Sequence, residues 1–141
     1  MNTVGADMEF KTSISIDSNR IADLIITALE GGSNYWYSID KKKSKAPSPD
    51  KLWQFPEGDS LRDTLYFHVQ WPLSEGGSVH IYDNETGDYR GDLNLESLQK
   101  GLDVMQDKYP KHMADFLSEH EDGDTADVFL QCCLFGEVIF G

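Results

Sequence analysis

A chain of 141 residues, 39% hydrophobic and 26% charged, is long enough to bury a core and too apolar to remain disordered throughout. Its formal net charge of −13 argues against binding nucleic acid or an anionic membrane directly. No apolar run reaches the ~20 residues of a membrane-spanning helix, and MNTVGADMEF lacks the basic start and apolar stretch of a secretory signal, so a cytoplasmic location is expected.

Residues 1–7 read as a loose tail. MEFKTSISI (8–16) alternates and predicts a strand, with Phe10, Ile14 and Ile16 on one face. DSN (17–19) offers helix caps, and Ile21, Leu24, Ile25, Ala28 and Leu29 then follow at helical spacing. Gly31-Gly32 ends that helix, with Gly31 expected in the left-handed conformation. An extended segment over 33–39 would turn Tyr35 and Tyr37 one way and Trp36 the other. Such a cluster has two readings: an anchor into the core, or a stacking surface for a planar ligand.

DKKKSKAPSPDK (40–51) reads as an exposed, flexible basic loop, either solvated or available to a phosphate. LYFHVQW (65–71) and SVHIYD (78–83) predict two strands joined as a hairpin, with His68 and His80 on opposite faces. DNETGD leads into a third strand around Tyr89.

Asn94 caps a helix with the stripe Leu95, Leu98, Leu102 and Met105, and Pro110 breaks it. Met113, Phe116 and Leu117 support a short helix. After the acidic turn EHEDGD, Asp124 or Thr125 caps a last helix. Its residues Ala126, Phe129, Leu130, Cys133 and Leu134 share a face that would pack on Leu24, Ile25 and Leu29. Gly136 stops it, and EVIFG follows as a last strand or a docked tail. The fold class expected is α+β, in a single domain over 1–141. An antiparallel sheet of three to five strands would carry about four helices, mainly on one face.

Chemistry is sparse. There is no phosphate-binding glycine loop and no serine in a nucleophile elbow. His68, His80, His112 and His120 have no metal-ligand spacing, and DNETGD lacks the bidentate glutamate of a calcium loop. Cys132 and Cys133 read as reduced, buried thiols. Asp124 and Asp127 are better placed to complement a helix dipole than to act as acid and base. No catalytic residue, cofactor or metal is expected.

Charge is the strongest signal. Residues 83–127 carry thirteen Asp or Glu and only four Lys or Arg. The stretches ALEGGSNYWY (28–37), LNLESLQKGLDVMQDKYPKHMADFL (93–117) and DTADVFLQCCLFGEVIFG (124–141) resemble a family of small proteins of unassigned function encoded by bacteriophages and prophages. The resemblance covers about half the chain and carries no catalytic residue. It implies an accessory role in a bacterial host. The expected partner is a host protein with a basic surface, met by Asp103, Asp107, Asp115, Glu119, Glu121 and Asp122 in mimicry of nucleic acid. The alternative is a nucleotide-type ligand held by Tyr35, Trp36 and Tyr37 with the basic loop.

Overall fold

The computed structural model describes residues 8–59 and 66–141; the expected tail at 1–7 lies outside them. Helix α1 (Ser18–Thr27) starts where the Asp17 carboxylate accepts the Asn19 N–H at 2.9 Å, and it buries Ile21, Ala22, Leu24 and Ile25. It continues as a π-helical turn over Ala28–Gly32, closed by the Ser33 N–H donating to the Ala28 carbonyl at 2.8 Å. The expectation for Gly31 fails: it is not among the residues with positive φ, and a Cβ there would meet open space. Gly32 is the constrained position. A Cβ on Gly32 would overlap the Gly123 carbonyl oxygen, so two backbones touch where a side chain has no room.

Three strands form one antiparallel sheet in the order β1-β2-β3: β1 (Tyr37–Lys45), β2 (Ser78–Asp83) and β3 (Tyr89–Leu93). β2 is central, pairing Ile39 with Ile81 on one side and Leu93 with Val79 on the other. Its alternation is clean: Val79, Ile81 and Asp83 are buried, and Ser78, His80 and Tyr82 between them are half-buried.

The expected 65–71 strand is corrected. Residues Phe67–Gln70 make a short helix α2, in which the Trp71 N–H donates to the Phe67 carbonyl at 2.9 Å. Phe67 and Trp71, four apart, pack ring on ring at 4.8 Å, a contact that helical spacing brings together. β2 therefore takes β1 as its partner. That replaces the first half of the expected loop at 40–51, while residues 46–51 stay outside the sheet. β1 runs to Lys45, which pairs with Ser78, and its excess residues after Asp40 bulge outward. The bulge is closed by polar side chains: Ser44 Oγ donates to the Asp40 carbonyl at 2.8 Å and accepts the His80 N–H at 2.9 Å. A 3-10 turn at Pro49–Lys51 follows. The expected strand at 8–16 is also absent from the sheet, and Phe10 and Ile14 are exposed.

Helix α3 (Leu95–Lys108) opens on a capping box between Asn94 and Ser97. It buries Leu98, Gly101 and Met105, Leu102 is partly buried, and Leu95 is left exposed. Pro110 starts α4 (Pro110–Leu117), which buries Met113 and Phe116 but not Leu117. Helix α5 (Gly123–Phe135) is capped by Asp122, ahead of the expected Asp124 or Thr125; its carboxylate accepts the Thr125 N–H at 2.9 Å. Phe129, Leu130 and Cys133 join Leu24, Ile25 and Leu29 in one core, with Leu134 partly buried beside it. Burial continues round the helix through Asp127, Gln131 and Cys132, which marks α5 as the central element. Gly136 ends it at φ 73° in the left-handed conformation. Residues 137–141 then dock as a tail: the Gln131 Oε1 accepts the Ile139 and Phe140 N–H groups at 2.8 and 2.9 Å. The class is α+β. Among the described residues no helix is long and apolar enough to cross a membrane.

Candidate functional site

The aromatic stretch does not form one recess. Trp36 is only 2% exposed, stacks on Phe140 with centroids 5.0 Å apart and tilts against Phe135. The Tyr37 hydroxyl donates to the Leu29 carbonyl. Of the three, Tyr35 lines a surface groove. A turn produces this arrangement, not a strand: the Trp36 N–H donates to the Ser33 carbonyl at 3.1 Å, and β1 begins one residue later.

That turn converges on Asp127. Its Oδ1 accepts from Ser33 Oγ at 2.7 Å and Trp36 Nε1 at 2.8 Å, and its Oδ2 from the Tyr35 hydroxyl at 2.6 Å and Gln131 Nε2 at 3.0 Å. All four donors are neutral groups, and among the described residues no cation pairs with this carboxylate. A carboxylate so saturated is a structural knot joining the π turn, α5 and, through Gln131, the docked tail. The Tyr35 hydroxyl is pushed up to about 12, by burial first and then by its bond to Asp127. Its proton is therefore held at neutral pH, as a donor must be.

Outside the knot lies an open groove of about 640 Å³ lined by Tyr35, His112, Asp124, Asp127, Val128, Val138, Phe140 and Gly141. It has no Lys or Arg in its lining. The His112 Nδ1 is 3.1 Å from Thr125 Oγ1. Lys45 sits at the far end of β1 from Tyr35, about 20 Å away along the strand. Lys41, the nearest lysine of the run, lies over the Phe67 ring at 4.8 Å, and no lysine lines the Tyr35 groove.

The six acids expected to form a face divide in two. Glu119 and Glu121 clamp Arg20 at 3.3 and 2.9 Å, and that guanidinium also lies over the Phe116 ring and donates to the Phe116 carbonyl. Glu121 is largely buried and Glu119 has φ 62°, so both belong to the turn that ties α4 to α1. Asp122 is the α5 cap, and the Thr125 N–H holds its carboxyl below the usual range. Asp83, in the same acidic stretch, is buried; the Glu85 and Thr86 N–H groups, then Arg90 at 3.0 Å, lower its carboxyl.

Asp103 and Asp107 on α3 are exposed, and Asp115 on α4 is half-exposed. Glu96 is one of the thirteen acids of residues 83–127 but is not among the six expected to meet a partner. It lies seven residues before Asp103 and eleven before Asp107, so the three make one stripe along the outer face of α3. Helical periodicity applied to the charged residues, not only the apolar ones, would have found it. Lys100 stands in the same stripe, four residues after Glu96 and seven before Asp107, and its side chain reaches beside Gly136; Lys108, off the stripe, donates from Nζ to the Gly136 carbonyl at 3.0 Å. Both cations so meet the negative end of α5. Asp103 accepts from Gln99 Nε2 at 3.1 Å.

Among the described residues no group of three His, Cys, Asp or Glu is arranged to hold a metal ion. Cys132 and Cys133 are free and buried, and burial pushes both thiols up, away from the reactive thiolate. Compared with protein-family models, curated proteins and solved structures, the chain gives no significant match.

Proposed function

We propose that the protein is a non-enzymatic, acidic accessory protein of the phage-encoded kind that binds a basic surface on a host nucleic-acid-handling protein. The observation that carries this reading is the α3 stripe. Glu96, Asp103 and Asp107 are exposed on one side of a capped helix, three acids to the one lysine of that stripe, Lys100, whose side chain lies beside Gly136. A rigid line of carboxylates on a body of net charge −13 speeds encounter with a cationic surface and repels nucleic acid and anionic membrane. The other acids of the expected face serve the fold, so the binding set narrows to Glu96, Asp103, Asp107 and Asp115. Inhibition of a host defence nuclease is one form this role takes, and it rests on the phage resemblance.

The alternative, a nucleotide-type ligand, has less support. A phosphate needs donors or cations, and the groove beside Tyr35 sets two carboxylates against one histidine, His112, with no Lys or Arg in its lining. The test is a retention experiment. Immobilised wild type and the triple variant Glu96→Gln, Asp103→Asn, Asp107→Asn are exposed to bacterial lysate, then washed at rising salt. A basic protein should be held by wild type, released by salt, and lost from the variant. Equal retention on both surfaces, indifferent to salt, would sink the reading.

A further inference from the structure

Residues 8–16 carry the alternation of a strand, yet they pair with none of the three strands, and no backbone hydrogen bond joins them to another described residue. Met8, Phe10 and Ile14, all on the apolar side of that alternation, are 62%, 92% and 64% exposed. Ile16 anchors the segment on the core. Beside it lies a shallow groove of about 240 Å³ whose lining includes Ile14, Ile16, Phe116 and Leu117, so the apolar surface continues onto α4. The other side of the segment is polar: Glu9 and Lys11 sit 3.6 Å apart, both exposed, followed by Ser13 and Ser15. A two-sided strand pattern with open backbone groups is a template for another strand.

We propose that residues 8–12 of this segment pair antiparallel with residues 8–12 of a second copy, about a two-fold axis through Phe10. The argument for a second copy is charge complementarity. In that register Phe10 faces Phe10, Met8 faces Thr12, and Glu9 of each copy faces Lys11 of the other. The intrachain Glu9–Lys11 pair thereby meets its own reverse, and four alternating charges close a square. Apolar side chains fall on one side of the paired strands and charges on the other, as the alternation requires. The segment 8–16 holds one acid and one base and is neutral, on a chain of net charge −13. Two such acidic bodies meet there with least repulsion.

The experiment is sedimentation of the full chain from dilute to concentrated solution. Wild type should shift with concentration from monomer towards dimer. Glu9→Lys and Lys11→Glu each set like charges across the axis, and each should weaken self-association roughly tenfold. Both side chains are exposed, so neither change disturbs the core. Mixing the two single variants should restore association, because a strand with two positive charges on its polar side then faces a strand with two negative ones. A wild type that stays monomeric at every concentration overturns the proposal. Single variants that associate like wild type, or a mixture no stronger than its parts, also overturn it.

Discussion

Asp127 and Asp103 carry the same side chain, lie in the same acidic stretch and both stand on helices, yet their surroundings give them opposite work. Asp127 is buried and accepts four hydrogen bonds, three of them from a turn more than ninety residues away. Asp103 is exposed and accepts one, from a side chain four residues back on its own helix. Removing the first strands buried donors, whereas removing the second leaves groups that water satisfies. A count of acidic residues therefore misjudges a charged surface, because part of the charge is structural.

The largest expected effect comes from breaking the knot. Asp127→Ala leaves Ser33 Oγ and Trp36 Nε1 buried without an acceptor and should destabilise by about 3–5 kcal/mol in denaturant unfolding. A loss below about 1 kcal/mol would mean that the knot is replaceable by water. Next is the packing just beside it. Gly32→Ala forces the π turn off the Gly123 backbone and should cost about 2 kcal/mol or more, while Gly31→Ala, which meets open space, should be neutral or slightly stabilising. The reverse order would restore Gly31 as the constrained glycine.

A smaller effect is expected from alkali. The Tyr35 and Tyr37 hydroxyls are pushed up to about 12, burial being the first cause for both, against an ordinary value of 10.0. The folded state thus keeps protons that the unfolded chain sheds. Their contribution is complete below pH 10 and is lost as pH rises from about 10 through 12. Tyr35→Phe should flatten that decline in unfolding midpoints measured across the window. An unchanged slope would show that the Tyr35 proton plays no part in it. Smallest of all is the stripe: Asp103→Asn and Asp107→Asn should each change stability by less than about 0.5 kcal/mol. A loss as large as that of Asp127→Ala would erase the contrast between the two regions.

Where neighbours in sequence hold the relevant groups, the sequence was readable. Asn94 caps α3 through Ser97, three residues on; Pro110 starts α4; Gly136 closes α5; and the third strand begins at Tyr89. The same locality explains the misreadings. Residues 8–16 and 65–71 both alternate, and alternation says which residues share a face, not whether a partner strand exists. The second of them holds Phe67 and Trp71 at helical spacing as well, and packing chose the helix. Lysines at 41–43 and prolines at 47 and 49 read as loop, but the edge position of β1 tolerates both charge and a bulge.

The sequence by itself determined the α+β class, the amphipathic helices, the Asn94 cap, the Gly136 stop and the surplus of negative charge, because each follows from residue type and short-range spacing. Tertiary structure alone decided that Trp36 is core and Tyr35 is rim, that Asp127 faces Ser33 across 94 residues while Asp103 faces water, and that Gly32 rather than Gly31 is sterically required. These outcomes depend on which distant backbones come to lie side by side. A carboxylate or a glycine carries no mark of that neighbour until the chain has folded against it.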